Sequence, residues 1–186
     1  MKLVTFSPLP SGLPRPGLML DDKRLVDIPA ALGASSVAEA LKAEPSIASA
    51  LADARHADMA FVGIGTPTHG SSAAVLSSLN LSPEESEAFW SAEPVGDVAA
   101  RYFTASGSPV HGAVEDRVVA VTLEDLVRIP NVVGVAYGRA KTRGVLGALR
   151  GHLIDSLVCD ETLARSLLSE GRALVAATQS LKGTGT

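Results

Sequence analysis

Short apolar runs alternate with amphipathic stretches along the chain from Asp58 onward. Four runs are almost continuously apolar, as buried strands are, and they lie near residues 59–64, 117–122, 132–137 and 155–159. The stretches between them place apolar residues three or four positions apart, which is the spacing of a helix with one buried face. Short apolar strands separated by helices are typical of a mostly parallel sheet that helices cover on both faces. The pattern therefore predicts the α/β class.

Polar residues mark where several of these helices begin. Ser82 and Glu85 have the spacing of a capping box, and Thr122 and Asp125 have capping spacing before a second helix. Asp160 follows the last apolar run and is placed to cap the helix ETLARSLLSE. One more helix is expected from about residue 140 to 150, and its buried face is expected to consist of Val145, Leu146 and Leu149.

The first 34 residues differ in composition from the rest of the chain. They hold five of the eleven prolines and are predicted to form short strands joined by turns. The stretch LMLDDKRLVDI is typical of a hairpin, because apolar runs flank four charged residues. Residues 35–57 have a helical pattern, and Pro45 can begin a helix there. We therefore divide the chain into an N-terminal hairpin segment (1–34), a main α/β domain (35–178) and a disordered tail (179–186).

Glycines, cations and a carboxylate follow the apolar runs at the carboxyl ends of the predicted strands, where parallel sheets hold their ligands. These residues are Gly63, Gly65 and Thr66, then Gly138, Arg139 and Lys141, and finally Asp160. A helix N-terminus offers free N–H groups and positive partial charge, so the turn at Gly138 can seat a phosphate, with Lys141 adding a charge. Asp160 can accept hydrogen bonds from hydroxyl groups, although a helix cap needs no ligand.

A phosphorylated polyol suits this set of groups. The alternative is a plain strand-to-helix turn whose cations are solvated, and the local sequence does not decide between the two. The glycines do not match the G-x-G-x-x-G pattern, because Pro67, Thr68 and His69 follow Gly65 and Thr66. A dinucleotide site is therefore not favoured.

Composition and charge narrow the possible partners. The chain has 186 residues, 46% hydrophobic and 19% charged, which is typical of one globular domain. The net charge of −4 argues against nucleic-acid binding, and no apolar run reaches the length of about 18 residues that a membrane span needs. Cys159 is expected to be a small core residue, and the four histidines lack metal-ligand spacing. We expect a cytoplasmic protein without metal or cofactor.

Four motifs follow one another along the main domain: a G-I-G turn at 63–65, a G-D-x-x-x-R-x-F run at 96–103, a G-x-x-K turn at 138–141 and D-E-x-x-A at 160–164. In this order and spacing, over about residues 35–172, the chain resembles the sugar-binding domain of SorC-type bacterial transcriptional regulators. The resemblance implies a Rossmann-like fold, similar to those of sugar-phosphate isomerases and glucosamine-phosphate deaminases, that binds a phosphorylated sugar. Carried over by position, it implies ligand contacts by Gly63, Gly65, Thr66, Gly96, Asp97, Gly138, Lys141 and Asp160.

The chain also departs from the SorC pattern. Tyr137 precedes Gly138 where the family often has a second glycine, so the pocket is expected to be narrower or to take a different ligand. No helix-turn-helix and no opening strand of the effector domain precede residue 35, so this truncated domain is not expected to bind DNA. Residues 1–34 instead faintly resemble the first hairpin of fumarylacetoacetate-hydrolase-type proteins, without that family's metal-binding carboxylates. The SorC resemblance further implies a homo-oligomer.

Two classes of function remain open at this level. The first is a binding module that senses a phosphorylated sugar and passes the change to a partner or to its own oligomer. The second is an enzyme acting on such a sugar, as the isomerases of similar fold do. Isomerisation needs a carboxylate base beside the carbonyl carbon, and Asp97 and Asp160 are the candidates. Because nothing in the sequence prepares either for catalysis, we favour the binding module. The role of Arg101 stays open, whereas Phe103 is expected in the core.

Overall fold

The structure is a computed structural model that describes residues 2–6, 15–21, 24–27 and 35–171. The first three segments form an antiparallel sheet of β1 (Lys2–Phe6), β2 (Arg15–Asp21) and β3 (Arg24–Asp27), in the order β1-β2-β3. Strands β2 and β3 pair through Asp21 and Arg24, so the predicted hairpin forms around the charged residues. The predicted tail over 179–186 lies outside the described residues.

The remaining elements all lie within residues 35–171. The helices are α1 (Ser35–Lys42), α2 (Pro45–Arg55), α3 (Gly70–Ser78), α4 (Pro83–Ser91), α5 (Ala113–Asp116), α6 (Leu123–Val127), α7 (Thr142–Arg150) and α8 (161–171). The strands are β4 (Ala60–Gly63), β5 (Gly96–Val98), β6 (Arg101–Phe103), β7 (Val132–Ala136) and β8 (Ser156–Cys159). Within the described ranges, no helix combines the length and the apolar character that crossing a membrane requires.

A three-stranded parallel sheet organises this part of the molecule. Its order is β4-β7-β8, with Phe61 beside Val133 and Val135 beside Val158. Three of the four predicted strands are therefore confirmed, together with the α/β class and its flanking helices. Because β7 is central and all three strands run in one direction, their carboxyl ends meet at one edge of the sheet.

The fourth predicted strand, over 117–122, is wrong: this segment is irregular in the structure. Its backbone carbonyls turn toward a side chain instead of a neighbouring strand. The buried guanidinium of Arg101 donates hydrogen bonds to the carbonyl oxygens of Val118 (3.4 Å), Ala120 (3.0 Å) and Val121 (3.2 Å). A side-chain donor therefore takes the backbone acceptors that a strand would present to its partner.

The predicted helix starts are confirmed where polar caps define them. Ser82 accepts a hydrogen bond from the amide of Glu85, and Glu85 accepts one from the amide of Ser82, so the capping box at α4 is complete. Thr122 and Asp125 form the same reciprocal pair at α6. Helix α2 has Pro45 in its first turn, as predicted, with its cap supplied by the Glu44 carboxylate. These reciprocal bonds satisfy first-turn amides that have no acceptor within the helix.

The main core lies between the parallel sheet and helices α6, α7 and α8. Its members include Ile64, Val95, Phe103, Leu126, Val132, Val145, Ala148, Leu153 and Leu163. Helix α7 enters this core through small residues, because the Cα of Gly144 lies against Gly96 of β5. Leu149 is 40% exposed, so its predicted place on the buried face of α7 is wrong. Phe103 is fully buried, as predicted.

The two faces of the parallel sheet differ in how far the described residues cover them. One face, made by Ala60, Val62, Val132, Ala136 and Leu157, packs into the main core. On the opposite face Phe61 is 72% exposed, Val158 58% and Val135 45%. The apolar runs thus mark strand residues correctly on both faces, although the described helices cover only one of them.

Candidate functional site

The turn after β4 lies at the carboxyl edge of the parallel sheet and touches a second structural unit there. The amide of Ile64 still donates to the carbonyl of Val135 (3.2 Å), so β4 and β7 remain paired up to the turn. The amide of Gly65 then donates to the carbonyl of Asp97 (2.8 Å) and fixes the turn against strand β5. Thr66 follows and is only 6% exposed. The turn is therefore held from two sides.

Gly65 has no room for a side chain, because Asp97 occupies the adjacent space. A Cβ on Gly65 would lie 1.9 Å from the Asp97 Oδ1 and 2.0 Å from the Ser72 Oγ. A glycine at this position lets a carboxylate and a hydroxyl approach the backbone closely. The second glycine of the G-I-G motif, Gly65, is thus required for steric reasons. Gly63 differs, since a Cβ there meets nothing within 4 Å.

The carboxylate of Asp97 is the most unusual group at this edge. Asp97 is 5% exposed, and its buried Oδ1 has no hydrogen-bond partner among the described residues. Burial raises the pKa of the Asp97 carboxyl, whereas the Ser72 hydroxyl, the Ala100 amide and, to a smaller extent, the positive charge of Lys141 act in the opposite direction. A buried polar atom without a partner is costly, and such atoms in proteins call for a bound group or a functional role.

A turn that requires glycine leads from β7 into α7. Gly138 has φ of 83° and ψ of 145°, a conformation that residues with a Cβ rarely adopt. A short 3-10 turn, Arg139–Lys141, follows before α7 begins at Thr142. The Thr142 hydroxyl donates to the Arg139 carbonyl (2.7 Å) and closes this turn. The conformation of Gly138, rather than the space around it, therefore explains the glycine.

Asp160 holds the Gly138 turn in place. The Gly138 amide donates to the Asp160 Oδ1 at 2.7 Å, and this bond lowers the pKa of the Asp160 carboxyl. The Asp160 carbonyl also accepts from the Ala164 amide (3.0 Å), as expected where α8 begins. Asp160 therefore links the end of β8 to the turn after β7. Because the Gly138 amide is engaged, the first amides left for an anion are those of Arg139 and Ala140, whose position at the start of a helical segment gives them no internal acceptor.

The structure brings most of the predicted site residues to one edge of the sheet. Gly65, Thr66 and Asp97 form one group, and Lys141 is near enough for its charge to act on Asp97. Gly138 and Asp160 form a second group at the adjacent strand ends. Gly96 lies behind this edge, where a Cβ would come within 2.8 Å of the Gly144 Cα. The contact of Gly96 is thus with a helix.

Ser72 and Arg101 are the residues whose place sequence reasoning did not find. Ser72 lies in the first turn of α3, and only the fold brings its hydroxyl close to Asp97. No local motif marks that approach, since 25 residues separate the two positions. Cys159, in contrast, is half-buried and packs against the main core, in agreement with its predicted role. No group of three or more potential metal ligands occurs in the described ranges.

The fold and this edge define a class of protein: an α/β binding domain whose strand ends offer a glycine turn, a helix start with cations, and a buried carboxylate. A family model described as a sugar-binding domain matches residues 21–169, which is more than half of the chain. The chain belongs to this family of sugar-binding domains, and the resemblance to SorC-type regulators is thereby confirmed.

Named relatives and solved structures agree with this assignment. The transcriptional regulator LsrR of Klebsiella pneumoniae is 38% identical over 145 residues, covering 76% of this chain and 45% of that protein. The sugar-binding domain of a transcriptional repressor from Vibrio fischeri superposes with a TM-score of 0.66 at 31% identity, over 74% of this chain and 55% of the other. The full-length sorbitol operon regulator SorC from Klebsiella pneumoniae gives a TM-score of 0.64 at 25% identity, over 73% and 43%.

The chain spans less than half the length of the curated relatives with which it aligns. Those relatives are named as regulators, and the Vibrio fischeri structure is named as the sugar-binding domain of a transcriptional repressor. Between the two functions that the sequence left open, the comparisons therefore support the binding module over the isomerase.

Proposed function

We propose that this domain is the effector-sensing part of a transcriptional regulator and binds a phosphorylated sugar at the carboxyl edge of its parallel sheet. The observation that carries the proposal is the Asp97 carboxylate, which is buried, lacks a partner for Oδ1 within the described residues, and adjoins the Gly65 turn. A sugar hydroxyl is a neutral donor that can supply the missing hydrogen bond to a carboxylate.

The phosphate of the ligand is assigned to the other half of the edge. The amides of Arg139 and Ala140 begin a helical segment, and the dipole of α7 adds positive potential there. Lys141 supplies a full positive charge, which also acts on Asp97. Asp160 contributes indirectly, because its bond to the Gly138 amide fixes the turn. Gly63, Gly65 and Thr66 complete the proposed wall next to the sugar.

The regulatory part of the proposal follows from the family. LsrR and SorC are named as regulators, and this chain corresponds to part of their length. We assign it the sensing step, with self-association as the expected route by which ligand binding is passed on. DNA contact by this chain itself is not proposed, because its net charge is −4 and nucleic-acid binding relies on clustered cations.

A thermal-shift and calorimetry screen of the 186-residue chain tests the proposal. The probes are phosphorylated aldoses and ketoses, the same sugars without phosphate, and inorganic phosphate. A phosphorylated sugar at one hundred times its Kd stabilises the fold by about 2.7 kcal/mol, which raises the Tm by about 5–10 °C. The free sugar binds poorly, and inorganic phosphate competes with the phosphorylated one.

One lysine variant and one arginine control make the test specific to the turn. Lys141→Ala loses a charge-assisted contact worth about 1.5–3 kcal/mol, so the Kd for the phosphorylated sugar rises roughly 10- to 150-fold. Arg143→Ala is the matched control, because Arg143 is an exposed cation two positions further along the chain, in the first turn of α7. Equal affinity of the parent and Lys141→Ala for every phosphorylated sugar would refute the assignment of the phosphate to this turn.

A further inference from the structure

Strands β5 and β6 form a tight hairpin that carries Asp97. In its register Asp97 is opposite Tyr102, and Val98 is opposite Arg101. Because side chains alternate across a strand, Asp97 and Tyr102 share one face of the hairpin, and Arg101 lies on the other. The site face is therefore the Asp97 face, and Arg101 acts from behind it.

The turn of this hairpin is strained. Its two central residues, Ala99 and Ala100, have φ of 51° and 61°. Hairpins with two such residues normally use glycine, asparagine or aspartate, because the Cβ of other residues is crowded in this conformation. Two alanines in the left-handed region need support from surrounding contacts to stay there. The position of Asp97, two residues before Ala99, depends on that support.

Arg101 supplies support on the rear face. It is 5% exposed, and its guanidinium donates to the carbonyls of Glu115 (3.0 Å), Ala120 (3.0 Å) and Val121 (3.2 Å). Its Nη1 also lies 3.6 Å from the Glu115 Oε1. The guanidinium fork thus fastens the hairpin through several bonds at once to segment 115–121, which runs from the end of α5 into the irregular stretch. Lysine has the charge but not the planar fork, so it cannot reproduce these contacts.

The site face has its own attachment. The Tyr102 hydroxyl donates to the Ser72 carbonyl at 2.9 Å, which places the start of α3 beside Asp97. Two clamps on opposite faces therefore hold one strained hairpin between helix α3 and segment 115–121.

We propose that Arg101 is a positioning residue for the ligand site: by fastening the β5–β6 hairpin to segment 115–121, it keeps the Asp97 carboxylate buried beside Gly65. The inference rests on the proposed function only in taking Asp97 as a ligand contact. Its own consequence, the burial of the carboxylate, can be measured without any ligand.

The experiment compares the parent chain with Arg101→Lys, which keeps the charge and removes the fork. In ¹³C-labelled protein, the Cγ resonance of Asp97 is followed against pH and assigned by its loss in Asp97→Asn. With the hairpin loosened, water reaches the carboxylate, and the raised pKa of Asp97 falls toward its ordinary value. Amide exchange at Tyr102 and Phe103 becomes roughly tenfold faster, while exchange within α7 is unchanged.

Arg117→Lys is the matched control. Arg117 lies in segment 115–121 and is also largely buried, but its guanidinium donates to the Leu79 carbonyl (3.3 Å) and the Glu85 carboxylate (2.8 Å) and not, among the described residues, to the hairpin. The proposal requires a lower pKa of Asp97 in Arg101→Lys and an unchanged one in Arg117→Lys. An unchanged pKa in Arg101→Lys, or equal changes in both variants, would overturn it. Failure of Arg101→Lys alone to fold, seen by circular dichroism, would also overturn it, because Arg101 would then support the whole domain.

The phosphorylated-sugar screen separates this inference from the proposed function. Where a ligand of the parent is found, Arg101→Lys binds it about tenfold more weakly, and Arg117→Lys binds it like the parent. A lower Asp97 pKa in Arg101→Lys, with no ligand for the parent, contradicts the proposed function and leaves the positioning role intact. Normal binding by Arg101→Lys contradicts the positioning role alone.

Discussion

Replacing Asp97 with asparagine is expected to make the unliganded protein more stable and its ligand binding weaker. The carboxylate is 5% exposed, and its Oδ1 has no partner among the described residues. Leaving a buried polar atom unsatisfied costs about 1–3 kcal/mol, and more when the group is charged. Asparagine has nearly the same shape and is neutral, but its amide also needs partners. We therefore expect a net gain of about 1 kcal/mol at pH 7, equivalent to a Tm increase of about 2–4 °C.

The stability difference between Asp97→Asn and the parent depends on pH. Burial raises the pKa of Asp97 in the folded protein above that in the unfolded chain, so the folded state binds a proton more readily. The stability that belongs to this difference is fully present below the unfolded pKa of about 3.9 and is lost as the pH rises through the folded value. The advantage of Asp97→Asn is therefore largest at pH 7 and disappears near pH 3, where both side chains are neutral.

Urea unfolding of the parent and of Asp97→Asn, at pH 7 and at about pH 3, measures both effects. The phosphorylated sugar found by the screen then measures the cost in affinity, since asparagine places an N–H₂ group where the proposed hydroxyl donor must lie. A variant that is less stable than the parent at pH 7 would refute the reasoning, because the carboxylate would then have a favourable partner in the folded protein. A variant with unchanged sugar affinity would remove Asp97 from the proposed site.

Three further predictions concern the supporting structure. Leu163→Ala removes a side chain that is fully buried in the main core, so the free energy of unfolding falls by about 2–5 kcal/mol. The control Leu168→Ala, at a 63% exposed position of the same helix, changes it by less than about 0.5 kcal/mol. Equal losses of the two variants in urea unfolding would contradict this packing. Gly138→Ala lowers the free energy of unfolding by about 1–3 kcal/mol. Backbone strain alone causes this loss, because a Cβ at position 138 meets nothing within 4 Å. A variant as stable as the parent would show that the φ of 83° is not retained. Asp160→Ala lowers the Tm at pH 7 but leaves it unchanged at a pH below the folded pKa of Asp160. A carboxyl with a lowered pKa stabilises the fold above its ordinary pKa of about 3.9, and this stabilisation is lost as the pH falls through the folded value. Equal Tm losses at pH 7 and at the acidic pH would contradict this role.

The parts of the fold that depend on residues close together in sequence could be predicted from the sequence. Three apolar runs became the strands of the parallel sheet, and the capping boxes at Ser82 and Thr122 formed as their spacing indicated. The run RVVAVT at 117–122 has the same apolar pattern as the other three but is irregular. Its carbonyls accept hydrogen bonds from Arg101, which is 17 or more residues away in sequence, and a local pattern contains no sign of such a donor.

The candidate site also has a part that the local sequence predicts and a part that only the tertiary structure shows. The turns at Gly65 and Gly138 were predictable, because parallel strands present their carboxyl ends at one edge and glycines marked both turns. Asp97 lies on the separate β5–β6 hairpin and entered the prediction only through the resemblance to SorC regulators. Its approach to Gly65 and to Ser72 is a tertiary contact, and no periodicity or spacing in the sequence encodes it.

The bond between Asp160 and Gly138 changes how the turn can recognise a phosphate. Sequence reasoning treated Asp160 as either a helix cap or a hydroxyl acceptor, yet its carboxylate takes the amide that was the first candidate for an anion. The proposed phosphate would then lie further along, over the amides of Arg139 and Ala140, and close to a negative carboxylate. The dipole of a single helix start, worth about half a charge, does not balance that carboxylate together with a phosphate dianion. A full cation is required, and we assign that role to Lys141, whose charge already acts on Asp97.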